Sequence, residues 1–274
     1  MGYIDELEQK YDQLKDRIAS AGKAAIAFSG GVDSVFLLYA AKEALGSEVL
    51  ALTMSLHAVP KRELREAVEF CRTKGIRQRV ETMDEFTIEG FADNPPNRCY
   101  LCKRALFQRM LDAAMAEGFE TLMEGSNLDD QGDYRPGLLA LQELKIQSPL
   151  KETGFTKAEI REMSRRLQLP TWEKPSMACL ASRFAYGEEI TPEKMKMVEQ
   201  AEEFLADLGF VQRRVRIHGH LARIELLPKD IPRIMEEKRY EQAARCLKEL
   251  GFSYVTLDLQ GFESGSMNKG LKKA

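Results

Sequence analysis

The chain has 274 residues, 44% of them hydrophobic, which is enough for one large or two modest domains with a real core. A formal net charge of −3 gives no bulk attraction for nucleic acid, and no apolar run approaches the ~18 residues of a membrane span. The polar start, Met1 to Lys10, argues against a signal peptide, and five cysteines in such a chain read as reduced, metal-bound or catalytic thiols in a cytoplasmic protein.

Ile4, Leu7, Tyr11, Leu14 and Ile18 recur at helical spacing and predict an opening amphipathic helix. Residues 23–28 read as a strand that runs directly into Ser29-Gly30-Gly31-Val32-Asp33-Ser34, and a helix follows to about residue 45. A strand that turns through glycines into a helix N-terminus is a phosphate site. Glycine lets the backbone approach an anion, and the first helical N–H groups have no intrahelical partner. Ser29 and Ser34 add hydroxyl donors, and Asp33 suits polyphosphate only through an intervening Mg²⁺. The Gly-Lys-Ser/Thr of the Walker loop is missing, and an ordinary tight turn is the other reading.

Strands at 48–54, 76–82 and 121–125 alternate with helices at 61–74 and 102–117, with a long loop-like stretch before residue 97. This alternation predicts an α/β fold with a doubly wound parallel sheet, whose ligands bind beyond the carboxyl ends of the strands. Gly125-Ser126-Asn127-Leu128-Asp129-Asp130 leaves the last of these strands and is expected beside the Ser-Gly-Gly loop; it reads equally as a helix N-cap with acidic residues in its first turn. Arg135-Pro-Gly137 is placed to reach a phosphate.

Near Pro149 the pattern changes. A helix at 156–167 precedes a loop through Ser182-Arg183, and a smaller α+β unit follows: helix 192–208, strands 211–218 and 221–227, a broken helix at 231–250 and a strand at 254–259. His218-Gly219-His220 reads as a hairpin turn, and Lys269 to Ala274 as a frayed tail. The expected division is a nucleotide domain at 1–170, a linker at 171–190 carrying Cys179, and a C-terminal substrate-binding or oligomerisation domain at 191–274.

Cys99 and Cys102, three apart, can chelate one metal or cluster; a zinc half-site and a redox pair are the other readings. Arg98, Lys103 and Arg104 would lower their thiol pKa values. Cys179 sits in an apolar stretch flanked by Lys174 and Arg183 and reads as a functional or a buried structural thiol; Cys71 and Cys246 read as core. Arg214 and Arg216 share one face of a strand, which suits a phosphate or carboxylate, unless the strand is a solvated edge.

The hexapeptide at 29–34 resembles the pyrophosphate loop of the N-type ATP pyrophosphatases, and Gly125 to Asp130 resembles an element that closes their nucleotide site. Nearly the whole chain resembles the LarE family, which inserts sulfur into a pyridinium biscarboxylic acid mononucleotide on the way to the nickel-pincer nucleotide cofactor. The likeness rests on that loop, the Lys174–Arg183 block, the run from Tyr186 to Pro192, the Arg-Val-Arg and Ala-Arg-Ile-Glu strands, and Gly265-Ser-Met-Asn268.

The resemblance implies that ATP and Mg²⁺ bind at Ser29, Gly30, Gly31, Val32, Asp33 and Ser34, with Gly125, Asn127 and Asp130 closing the site. A substrate carboxylate attacks the α-phosphate, pyrophosphate leaves, and a sulfur nucleophile displaces AMP. In one branch of the family a single cysteine, matching Cys179, gives up its sulfur and becomes dehydroalanine. In the other, three cysteines matching Cys99, Cys102 and Cys179 hold a [4Fe-4S] cluster whose fourth iron carries an extra sulfide; this chain has all three. Arg214 and Arg216 would hold the substrate phosphate, Ser182 and Arg183 would lie beside the sulfur, and Glu202 or Glu203 would contact metal or substrate. The implied partners are the mononucleotide and a sulfide source, with no membrane or nucleic acid, in a homo-oligomer that is hexameric by family likeness. A tRNA thiolation enzyme, an ammonia-dependent amidating synthetase and a non-enzymatic ATP- or metal-binding sensor are the rival readings.

Overall fold

The computed structural model describes residues 3–132, 137–175, 178–263 and 265–267. Arg135, Ser176, Met177, Asn268 and the Lys-rich end therefore lie outside the described residues. The chain divides into two compact units, one of residues 1–84 and 99–177, the other of residues 85–98 and 178–274.

In the first unit β1 (Ala24–Ala27) lies between β2 (Val49–Ser55) and β4 (Leu122–Met123), and β3 (Gln78–Thr82) pairs outside β2; all pairings are parallel. Successive strand residues face opposite sides, so β2 sends Val49 and Ala51 into one core and Leu50, Leu52 and Met54 into another. A sheet apolar on both faces must be covered on both. One side carries α1 (Tyr3–Ala19), α2 (Val32–Leu45), α3 (Lys61–Thr73) and α7 (Lys157–Arg166); the other carries α4 (Arg98–Ala116) and α5 (Gly137–Glu143). Leu7, Tyr11, Leu14 and Ile18 of α1 are buried as their spacing predicts, whereas Ile4 is exposed in the first turn. The short α6 (Pro149–Glu152) lies between α5 and α7 in sequence. β4 is shorter than the predicted 121–125, and Met123 at its end also bridges Gln147 in parallel. The parallel, doubly wound α/β fold is thus present, with its strand order reversing at β1 and β4.

The second unit holds α8 (Pro192–Asp207), the antiparallel pair β5 (Arg213–His218) and β6 (Leu221–Leu226), α9 (Ile231–Met235), α10 (Arg239–Glu249) and β7 (Tyr254–Leu257), which pairs parallel to β6. Gly219 and His220 make the predicted hairpin turn, with His218 opposite Leu221. The helix at 231–250 is broken, as its pattern suggests, at Glu236–Lys238, where Lys238 is left-handed.

The loop-like stretch before α4 belongs to this second unit rather than to the first. Asn94, fully buried and left-handed at φ 51°, donates through Nδ2 to Ala185 O (2.6 Å) and accepts the Gly187 N–H at its own carbonyl (2.9 Å). Ile190 N–H donates to Ala92 O. The chain consequently changes unit at 84/85, 98/99 and 177/178, where the sequence predicts one boundary at 170 and a linker to 190.

The α7 N-terminus is set by a capping box: Thr156 Oγ1 accepts the Glu159 N–H, and Glu159 accepts the Thr156 N–H. Lys10 of α1 donates to the same Glu159 carboxylate at 2.8 Å. Thr156→Ala is expected to lower stability by about 1 kcal/mol, read as a lower urea midpoint with unchanged m-value.

Candidate active site

The turn from β1 to α2 has the geometry of an anion loop. Gly30 is left-handed at φ 74°, and a Cβ there would stand 3.2 Å from Ala67 Cβ of α3. Gly31 caps α2 without a side-chain bond, which leaves the first-turn N–H groups aimed out of the helix end. The two serines close the loop on itself: Ser29 Oγ and Ser34 Oγ are 3.1 Å apart, and Ser34 Oγ donates to Gly31 O. Lys174 Nζ donates to Gly30 O at 3.1 Å and pairs with Glu63 and Glu66 of α3, so the Lys174–Arg183 block begins by gripping this loop.

Because β4 neighbours β1, the turn after it meets the loop. A Cβ on Gly125 would lie 3.2 Å from Asp33 C and Ser34 N. Asn127 Oδ1 accepts the Asp129 N–H, Asp130 Oδ2 accepts the Asn127 N–H, and Asp129 Oδ2 accepts the Lys157 N–H. These residues and the phosphate loop line a cavity of about 520 Å³, within the range of small-ligand pockets. Its other wall is apolar: Met54, Leu56 and Val59 on one side, Leu106, Phe107 and Met110 of α4 on the other.

Lys157, which sequence reasoning passed over, lines the same cavity and donates to Asp33 Oδ2 at 2.5 Å. The signal was present: Lys157 opens α7, and a cation there opposes the helix dipole. Asp33 Oδ1 is buried with no hydrogen-bond partner among the described residues. An oxygen so placed beside an anion loop fits a hard divalent cation.

Cys99 and Cys102 are the second and fifth residues of α4, which starts at Arg98, four residues earlier than predicted. Three apart on a helix, they share a face. Both are half-buried thiols outside any disulfide, and the turns after them carry the cavity wall. Cys71 is buried, its thiol pushed up to about 12 by burial, as the core reading expects; Cys246 is only half-buried, and burial raises its pKa as well.

Cys179 is exposed, which removes the reading of a buried structural thiol. The residues that follow it, Leu180, Ala181 and Arg183, are buried. The carbonyls of this segment are held by guanidinium groups. Arg183 Nη1 donates to Ala178 O (2.6 Å) and Cys179 O (3.0 Å), Arg98 Nη1 to Ala181 O (2.8 Å), and Arg216 Nη1 to Ser182 O (2.9 Å). Ser182 Oγ also donates to Cys179 O, at 2.8 Å.

Two of these arginines sit in buried ion pairs. Arg183, fully buried, binds both oxygens of Glu202 at 2.8 Å, and Arg216 binds Glu225 at 2.9 Å. Glu225 also accepts from Ser266 Oγ. Burial works against the Glu202 carboxylate, but the charge and hydrogen bonds of Arg183, with Arg214 and the Val215 N–H, hold it below the ordinary carboxylate range. Burial, then the charge of Arg183, pulls the Arg214 guanidinium down, and its plane lies over the Phe262 ring. Arg214 and Arg216 are thus buried rather than on a solvated edge, and Glu202 is the partner of Arg183.

A family model described as a PP-loop domain matches residues 4–167. The chain is 35% identical over 253 residues to the pyridinium-3,5-bisthiocarboxylic acid mononucleotide synthase of Lactiplantibacillus plantarum, across 92% of this chain and 91% of that protein. It is 40% identical over 267 residues to an uncharacterized protein of Synechocystis sp., across 97% and 100%. It is 28% identical over 221 residues to a glutamine-hydrolyzing GMP synthase subunit of Thermoplasma volcanium, across 75% and 69%.

The Glu202 carboxyl titrates lower in the folded chain than in the unfolded one, so its contribution is complete above about pH 4.3 and is lost as pH falls toward the folded value. Glu202→Gln should cost about 3 kcal/mol near neutral pH, with the gap to the wild type narrowing as pH drops below that point. Urea denaturation across a pH series reads this directly, and a gap that does not vary with pH contradicts it.

Proposed function

The chain belongs to the PP-loop family and, within it, to the LarE family of ATP-dependent synthases, and from that premise we propose that it converts a carboxylate of pyridinium-3,5-biscarboxylic acid mononucleotide into a thiocarboxylate for the nickel-pincer nucleotide. The observation that carries this reading is the α4 wall: Cys99 and Cys102 open the helix whose next turns line the cavity beside the phosphate loop. A sulfur site at the rim of an adenylylation site is what thiocarboxylate formation needs.

The loop from Ser29 to Ser34 binds the pyrophosphate end of ATP through helix N–H groups and hydroxyls, and Gly125, Asn127 and Asp130 close over it. Asp33, whose Oδ1 has no partner among the described residues, would hold Mg²⁺, which when bound would offset polyphosphate charge, and Lys157 beside it would donate to a phosphate oxygen. The substrate carboxylate oxygen attacks the α-phosphorus, the bond to the β-phosphate oxygen breaks, and pyrophosphate leaves. Carboxylate is a poor electrophile, and AMP becomes the leaving group that a sulfur nucleophile displaces.

By the family resemblance Cys99, Cys102 and Cys179 would each give a soft thiolate ligand to a [4Fe-4S] cluster, and when bound the cluster would supply that sulfur. Arg183 and Ser182 position Cys179 through its carbonyl. Arg216, paired with Glu225, and Arg214, beside Glu202, would hold the substrate phosphate. A cytoplasmic place and a homo-oligomeric, hexameric assembly belong to the same proposal. Among the described residues no helix is long and apolar enough to cross a membrane.

Anaerobic purification followed by iron and acid-labile sulfide analysis, with Cys99→Ala as control, is the test. About four irons and at least four sulfides per chain, lost in the variant, together with pyrophosphate release that depends on the mononucleotide, are expected. Metal-free protein whose Cys179 loses the elements of H₂S on turnover would replace the cluster with sacrifice of that cysteine. No pyrophosphate release with the mononucleotide would overturn the reading.

A further inference from the structure

Lys103 follows Cys102 in the chain and lines the nucleotide cavity, where it is half-buried. Among the described residues no group accepts a hydrogen bond or forms an ion pair with its ammonium, in contrast to Lys157, which Asp33 holds. The side chain also has a defined route. A Cβ on Gly137 would stand 2.6 Å from Lys103 Cδ and 3.3 Å from Cε, so the stem runs closely past Gly137. An ammonium that lines the cavity with no hydrogen-bond or ion-pair acceptor among the described residues can take an anionic ligand as its partner.

The anion can be assigned by position. Lys103 lies one turn before Leu106 and Phe107 on α4, about 4.5–6 Å along the axis, and those two residues form the apolar wall suited to a base. The terminal phosphates belong to the Ser29–Ser34 loop. Between base and terminal phosphates lie the ribose and the α-phosphoryl group, and only the second is anionic. Resting on the reading of this cavity as the ATP site, we propose that Lys103 ligates the α-phosphoryl group and stays with it from ATP through the acyl-adenylate to AMP. When sulfur bonds to the acyl carbon, the carbon–oxygen bond to the phosphate breaks and its electron pair leaves on AMP. Lys103 then neutralises the charge that develops on that oxygen. The same lysine would hold the adenylate against release before the sulfur reaches it.

Calorimetric titration of the full chain with AMP and, separately, with pyrophosphate tests the assignment, using wild type, Lys103→Met and Lys103→Arg. Lys103→Met should weaken AMP about 10- to 100-fold, the range for one charge-assisted hydrogen bond, and change pyrophosphate by less than about 2-fold on the same scale. Lys103→Arg should recover most of the AMP affinity, which separates a charge role from a folding defect. Unchanged AMP binding in Lys103→Met overturns the proposal, as does an equal loss of AMP and pyrophosphate. Unchanged AMP binding with slower alkylation of Cys102 would also overturn it and assign the charge to the thiols. A wild type that binds neither ligand would instead sink the reading of the cavity as an ATP site.

Discussion

A parallel strand buried on both faces has no polar side chains with which to meet water, so its chemistry has to begin where the strand ends. β1 is that strand: Ala24, Ala25 and Ile26 are fully buried, and β2 and β4 occupy both of its edges. At its end the order of the sheet reverses, and the connections leave in opposite directions. The opening between them is where the Ser29–Ser34 and Gly125–Asp130 turns converge. The helices on each face are there to cover apolar surface, but α2 also brings an anion loop to that opening, and α4 and α7 each bring a lysine. The position of the site follows from the packing of the sheet.

The second unit works from the opposite principle. Its interior contains Arg183, Glu202, Arg214, Arg216 and Glu225, all nearly inaccessible. Such pairs are expensive to desolvate and rarely add much net stability, so a different return is needed to explain them. The hydrogen bonds supply one. Guanidinium groups left with donors to spare after binding carboxylates use them on the carbonyls of residues 178–182. Apolar side chains of equal volume could fill the space but could not hold a loop by its carbonyls. The charge serves geometry: a short irregular segment becomes as well defined as a strand, with one exposed thiol at its start.

The sequence made the local features readable. The turn at residues 29–34, the strand alternation, the hairpin at Gly219-His220 and the break in the helix at 231–250 are each written in a few adjacent residues, through glycine conformation and hydrophobic period. The long-range partners were not readable. Arg214 and Arg216 share a face as their spacing requires, yet nothing adjacent announces Glu225 across the hairpin or Glu202 one helix earlier as the partners of this cluster. Lys157 was legible only as an anomaly, a cation where the helix dipole disfavours one. The stretch before α4 looked like a loop because its role depends on contacts made about ninety residues later, between Asn94 and Ala185.

Those contacts also govern how the chain can be divided. The second unit is discontinuous: residues 85–98 contribute Asn94 and Arg98, whose donors satisfy the carbonyls of Ala185 and Ala181. A fragment beginning at residue 178 would carry every strand and helix of the C-terminal half and still lack those donors. On a ribosome, residues 85–98 emerge early and must wait for the C-terminal half before they reach their partners, while the first unit can assemble around them as an excursion between β3 and α4. Evolutionary exchange of the C-terminal module between relatives faces the same barrier, since it has to carry along a short insertion from the middle of another domain.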